Sequence, residues 1–163
     1  NWKRPKQEVN FLFKLIKSYF LKEIENIVKQ EIKINIFGEL NKLSLEIKST
    51  LNKTIQLTRK NKKICVNLAI NYGSKNEILN AAKKIKNKFN LKNFEKKLYT
   101  KNIPDPDILI RTGGHKRLSN FMLWQLAYTE LFFLNKLWPD FNSRNFKKII
   151  NSYKKIKRNY GEV

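Results

Sequence analysis

The residues best equipped for chemistry lie close together: Arg111-Thr112-Gly113-Gly114, then Arg117, Ser119 and Glu130. Two guanidinium groups offer forked donors that match oxyanions, and the serine hydroxyl adds another donor. Two glycines let backbone amides approach an anion closely. Together these residues describe a cradle for a diphosphate-like group. An exposed basic turn would need the same residues, but the run that follows, Phe121 to Phe133, is too apolar to trail a solvent loop. Glu130 stands inside that run. Burying an unpaired carboxylate is costly, so it needs either a Mg²⁺ shared with diphosphate oxygens or an arginine partner. Both options stay open on the residues alone.

Other chemistries lack their residues. His115 is the sole histidine and has no cysteine at metal spacing, which argues against zinc. No G-x-S-x-G elbow is present, and neither is G-x-G-x-x-G or G-x-x-x-x-G-K-[ST].

The cradle must be held by a scaffold. Ile108-Leu109-Ile110 reads as a short buried strand running directly into Arg111, and in parallel α/β sheets ligands bind beyond the carboxyl ends of strands. Thr129 to Leu134 reads as another strand. Upstream, Val9, Leu12, Phe13, Ile16, Tyr19, Phe20, Ile24, Ile27 and Val28 recur at helical spacing and predict one helix of about six turns. Phe11, Leu15 and Leu21 widen its apolar face, as a helix buried on two sides or one lining an apolar cavity would require. Ile32 to Phe37 alternates as a strand closed by Gly38. Leu43 to Lys60 has a helical pattern, and the apolar run Lys63 to Asn71 predicts a central parallel strand covered on both faces. Ser74 and Glu77 predict a capping box for a helix over 75–89, and Phe94 to Thr100 a short helix. Arg144 to Asn159 predicts a basic amphipathic helix with Phe146, Ile149, Ile150, Tyr153 and Ile156 inward. Alternating strands and helices make the class α/β, with a mostly parallel central sheet flanked by helices.

With 163 residues, the chain is expected to form one domain. Its formal charge of +22 invites a nucleic-acid reading, but of 35 cationic residues only six are Arg, and the lysines are spread along every segment. Arg is the usual reader of bases, so no nucleic-acid partner is expected. Attraction to anionic lipid or polyanionic substrates fits the charge better. Cys65 lies in the apolar run Ile64 to Ile70, which predicts a buried thiol in a reducing compartment. No apolar run approaches the roughly 18 residues of a membrane span, so the expected location is cytoplasmic. The chain opens on Asn1-Trp2, with no initiator Met, which reads as part of a longer protein.

Three stretches carry a family resemblance. Asp107-Ile-Leu-Ile-Arg111-Thr-Gly-Gly, Arg117-Leu-Ser-Asn through Glu130-Leu, and Leu137-Trp-Pro-Asp-Phe141 closely resemble the C-terminal signature of the cis-prenyltransferases, with bacterial undecaprenyl diphosphate synthases nearest. Asn1-Trp2-Lys3-Arg4-Pro5 is similar to that family's Asn-Trp-x-Arg-Pro motif, and Asn67 to Gly73 to its Asn-x-Ala-x-Asn-Tyr-Gly strand and turn. The resemblance spans essentially the whole chain. It implies elongation of an allylic diphosphate, such as farnesyl diphosphate, by isopentenyl diphosphate units to a long cis-polyprenyl diphosphate, here the undecaprenyl carrier lipid. By motif position it implies that Arg111, Arg117 and Ser119 bind the diphosphate of isopentenyl diphosphate, assisted by Arg4. Asn1 and Trp2 would lie beside the reacting carbons, and Glu130 would help hold Mg²⁺. The first helix, through Leu12, Leu15, Ile16 and Tyr19, would wall the tunnel for the growing chain. A homodimer, and a location peripheral to the inner membrane face where product is delivered, also follow from the resemblance.

This sequence departs from the family's pattern in three places. The N-terminal His-x-x-x-Ile-Met-Asp-Gly-Asn-x-Arg-Trp run does not occur in it, so residues 1–163 read as the C-terminal portion of a catalytic domain, expected to be inactive alone. His115-Lys116 stands where bacterial relatives usually carry Glu followed by His, Gln or Lys. The C-terminal Arg-x-Gly element appears as Asn159-Tyr160-Gly161, with Arg158 one position early. A non-catalytic partner subunit of a two-component enzyme is the main alternative, but such subunits typically lack the Arg-x-x-Ser-Asn stretch that stands here as Arg117 to Asn120.

Overall fold

The computed structural model describes residues 5–86 and 88–158, in two compact units covering Asn1–Tyr72 and Gly73–Val163. The first is built on helix α1 (Lys6–Lys29), strand β1 (Ile32–Phe37), helix α2 (Leu45–Thr58) and strand β2 (Ile64–Ala69). Pro5 immediately precedes α1, where its fixed φ suits helix entry. The 3.6-residue spacing places Phe13, Ile16, Phe20 and Ile27 on one face, and Phe20 and Ile27 are buried. They pack with Ile34, Leu43, Ile47 and Leu51 into one core. Full burial of a side chain such as Leu51 contributes about 2–3 kcal/mol.

β1 and β2 pair in parallel from Ile32 opposite Ile64 to Phe37 opposite Ala69. Ser44 caps α2 by accepting from the Ile47 N–H. At the other end of α2, buried Thr58 donates to the Thr54 carbonyl at 2.8 Å and accepts from the Ile34 N–H at 3.1 Å. That bond ties helix to strand where the ladder leaves a donor over. Gly38 is required by its backbone: φ is +127°, and a Cβ would come within 2.0 Å of the Ile70 carbonyl oxygen.

β2 is not covered on both faces as its composition predicts. Val66 and Leu68 pack on the core, but Ile64 is 55% exposed and Cys65 is exposed. The alternation hidden in this run puts Cys65 with Asn67 on the polar face, where the Asn35 amide donates to both. The buried-thiol expectation is therefore corrected, and its compartment argument falls with it.

The second unit contains helix α3 (Ser74–Lys83), short helix α4 (Leu91–Glu95), strands β3 (Ile108–Arg111) and β4 (Glu130–Phe133), and helix α5 (Ser143–Tyr153). β3 and β4 are parallel, with Ile108 opposite Glu130 and Arg111 opposite Phe133. Ala81, Phe94 and Leu98 form the core, and Trp124 packs on Phe94 with ring centroids 4.5 Å apart. Asn142 and Asn145 cap α5 reciprocally. This helix ends earlier than its periodicity predicts, and Phe146 and Ile156 are exposed rather than inward.

Beyond α5, Arg158 donates to Asp107 at 2.6 Å, the Tyr153 hydroxyl at 2.7 Å and the Tyr128 carbonyl at 2.9 Å. Hydrogen bonds from Arg158 and Tyr153, and the Arg158 charge, hold the Asp107 carboxyl below the usual range.

The capping box predicted for α3 is absent. Gly73 is the N-cap, while Ser74 and Glu77 are buried and turned to other partners. The Glu77 carboxylate accepts from the Tyr99 N–H at 2.8 Å and from Gln125 Nε2 at 3.1 Å. Gln125 Nε2 also donates to Thr100 at 2.9 Å. A buried carboxylate is tolerated when it is hydrogen-bonded in this way.

Candidate active site

Arg111 ends β3, so its side chain stands at the carboxyl edge of the parallel pair. Its guanidinium Nη1 donates to Ser119 Oγ at 2.9 Å and to the carbonyl of Arg117. These bonds fold the loop 112–119 back over the strand end and bring three of the expected residues together. The result is an open cavity of about 440 Å³ whose rim carries Arg111, Arg117 and Ser119, with Ile108, Phe121 and Leu126 among the apolar residues beneath. Arg117 is exposed, and its guanidinium has no hydrogen bond or ion pair among the described residues. No carboxylate lines the cavity among the described residues, and exposed His115 and Lys116 border its loop. Two guanidiniums and a hydroxyl above an apolar floor suit a ligand with an anionic head and a short hydrocarbon body.

The glycines act differently from the sequence expectation. Gly113 and Gly114 have φ of +89° and +75°, but their amides are spent on backbone. The Gly113 N–H donates to the Lys136 carbonyl at 2.8 Å and the Gly114 N–H to Leu134 at 2.9 Å. They turn the chain and pin it to the segment after β4, which leaves the side chains of Arg111, Arg117 and Ser119 as the candidate donors to an anion.

Glu130 begins β4, half-buried, with its N–H on the Asp107 carbonyl at 3.0 Å. It pairs with Ile108, three residues before Arg111, an offset of about 10 Å along a strand. Its carboxylate has no arginine partner among the described residues. One free carboxylate fits a Mg²⁺ held otherwise by diphosphate oxygens and water, and no cluster of three metal-binding side chains occurs among the described residues. Asn1, Trp2 and Arg4 lie outside the described residues.

In the first unit, Leu15, Ile16 and Tyr19 line an open cavity of about 610 Å³ with Phe20, Val66 and Leu68. Leu12 is not part of that lining. Of the residues that widen the apolar face of α1, Leu15 lines this cavity, whereas Phe11 and Leu21 are exposed and lie outside both its lining and the core.

A part of the site was not legible in the sequence. Ser119, Asn120 and Met122 have φ of +51°, +64° and +47°. Each such non-glycine residue costs on the order of 1 kcal/mol or more and persists only where its surroundings over-determine it. The Ser74 N–H donates to the Asn120 carbonyl at 2.8 Å, and the Lys75 N–H to Asn120 Oδ1 at 2.8 Å. In return, Ser74 Oγ accepts from the Leu123 N–H at 2.9 Å. The one available signal was asparagine itself, which tolerates the left-handed region better than most residues.

Comparison with known proteins decides the family. A family model described as putative undecaprenyl diphosphate synthase matches residues 1–161. This chain belongs to the undecaprenyl diphosphate synthase family of prenyltransferases. Among its relatives, an isoprenyl transferase of Rickettsia typhi is 42% identical over 99% of this chain and 74% of its own length. One from Oceanobacillus iheyensis is 39% identical over 100% of this chain and 69% of its own. The crystal structure of a probable undecaprenyl diphosphate synthase from Campylobacter jejuni superposes with a TM-score of 0.91 at 35% identity, covering 99% of this chain and 78% of that one. Lavandulyl diphosphate synthase from Lavandula x intermedia, solved with dimethylallyl diphosphate, gives a TM-score of 0.93 at 32% identity, covering 99% and 75%. The α/β architecture with parallel strands is thus the cis-prenyltransferase fold, and the chain is a prenyltransferase by family.

Proposed function

We propose that this prenyltransferase condenses isopentenyl diphosphate with an allylic diphosphate such as farnesyl diphosphate and repeats the step to a cis-polyprenyl diphosphate of undecaprenyl type. The observation that carries the reading is the rim formed by Arg111, Arg117 and Ser119 over an apolar floor. In each cycle a carbon–carbon bond forms between the terminal alkene carbon of isopentenyl diphosphate and the allylic carbon. The allylic carbon–oxygen bond breaks, diphosphate departs with the electron pair, and a proton leaves the added unit. The arginines hold the diphosphate that is retained and orient the alkene, so their binding energy is spent on positioning. Mg²⁺, with Glu130 among its ligands, would neutralise charge on diphosphate oxygens. Arg4 would add a cation to the diphosphate, and Asn1 and Trp2 would flank the reacting carbons.

The cavity beside Leu15, Ile16 and Tyr19 would take the lengthening hydrocarbon, with Leu12 further along the same helix. Residues 1–163 would act as the C-terminal portion of one catalytic domain, within a homodimer. No helix among the described residues is long and apolar enough to cross a membrane. A charge of +22 would favour a cytoplasmic enzyme resting on anionic lipid, where its product is delivered.

The decisive experiment is Arg117→Ala in the full-length protein. Loss of one charge-assisted contact should raise KM for isopentenyl diphosphate about 10- to 100-fold and leave the allylic KM nearly unchanged. An equal rise in both constants would place Arg117 in the wrong subsite.

A further inference from the structure

The loop that carries Arg117 and Ser119 is strained, and what holds it lies outside the cavity. Asn120 follows Ser119 directly, yet it is absent from the cavity lining, whereas Ser119 and Phe121 on either side of it are present. Its side chain is turned to the start of α3, where Oδ1 accepts the Lys75 N–H at 2.8 Å. Its carbonyl takes the preceding N–H, that of Ser74, also at 2.8 Å. These are donors that a helix cannot satisfy internally. A Cβ on residue 73 would come within 2.8 Å of Asn120 Nδ2, so Gly73 and Asn120 fit as a pair. Ser74, fully buried, closes the bracket from the other side by accepting the Leu123 N–H at 2.9 Å. Three bonds therefore span the loop from Asn120 to Leu123, and that loop contains two of the three left-handed residues. No other residue type combines a short amide acceptor with ready access to φ near +60° as asparagine does.

We propose that Asn120 is a positioning residue: by capping α3 with its side chain and carbonyl, it fixes the left-handed turn that sets Ser119 on the diphosphate rim. It touches no substrate atom in this assignment and acts through Ser119. The proposal rests on the diphosphate reading of the rim.

The test uses the full-length protein with Arg117→Ala, Ser119→Ala, Asn120→Gly, Ser74→Ala and the Ser119/Asn120 double variant. Glycine keeps the left-handed turn accessible and removes the amide, so Asn120→Gly should raise KM for isopentenyl diphosphate about fivefold. The allylic KM should stay unchanged, and kcat should stay within about twofold. Adding Asn120→Gly to Ser119→Ala should then cost little more than Ser119→Ala alone, because one acts through the other. Ser74→Ala, which leaves the turn residues intact, should shift the same constant in the same direction and carries the test if Asn120→Gly does not fold. A lowered Tm with an unchanged KM would make Asn120 merely structural and overturn the proposal. Fully additive effects with Ser119→Ala would overturn it too. If Arg117→Ala leaves the isopentenyl constant unchanged, the diphosphate reading fails and takes this assignment with it. A normal Arg117→Ala effect beside a silent Asn120→Gly removes only the assignment.

Discussion

The two units of this chain reach their functional surfaces by opposite means. In the first, Leu15, Ile16 and Tyr19 line an apolar cavity because α1 has more apolar positions than its core contact uses. Periodicity along one helix is enough to place them. In the second, Arg111, Arg117 and Ser119 meet because a loop with three left-handed non-glycine residues is tied to the start of α3 and to the segment after β4. There the loop's placement depends on partners tens of residues away, such as Ser74 with Leu123. An apolar wall tolerates exchange of similar side chains, since burial is non-directional. The proposed diphosphate rim would not, since hydrogen bonds fall off steeply with distance and angle.

Substitutions should separate these two regimes. The largest effect is expected from Leu51→Ala, which empties the centre of the first core. It should destabilise that unit by about 2–5 kcal/mol in denaturant unfolding, while the surviving folded enzyme keeps its KM for isopentenyl diphosphate. Arg117→Ala is the converse, with the shift in the isopentenyl constant described above and a Tm close to wild type, because its exposed guanidinium supports nothing in the fold. Tyr19→Ala comes next. Opening the wall should lengthen the products resolved by chromatography and leave both Michaelis constants within about threefold. An altered isopentenyl constant from this variant would break the division between wall and rim.

The smallest effect concerns Asp107 and Arg158. Because the Asp107 carboxyl is held below its usual range, its contribution is present above the unfolded-state value, about 3.9. It is lost as pH falls through the lower folded value. Asp107→Asn should therefore lower Tm slightly at neutral pH and not at all in acid below both values. A uniform difference across that range would mean that the pair contributes through packing rather than charge.

Much of the fold was legible in the sequence, for local reasons. The helix over 6–29, the strand over 32–37 closed by Gly38, and the short strands at 108 and 130 follow from periodicity and turn residues. Misreadings arose where one residue type serves two purposes. Ser74 and Glu77 have capping-box spacing, but their side chains meet Leu123, Tyr99 and Gln125 instead. Glycines beside Arg111 look like anion-binding backbone, but their amides pair with the chain after β4. Cys65 sits in an apolar run, yet the strand's two-residue period turns it to the exposed, asparagine-bearing face.

The sequence by itself determined the α/β class, the family signature from Asp107 to Phe141 and the residue types that bind an oxyanion. Those depend on composition and spacing within one or two elements. Only the tertiary structure decided that Arg111 binds Ser119 and that Asn120 and Ser74 bracket the loop between them and α3. It alone put Glu130 level with Ile108 rather than Arg111. The physical reason is that hydrogen-bond partners are chosen by distance in space, and the sequence states only distance along the chain.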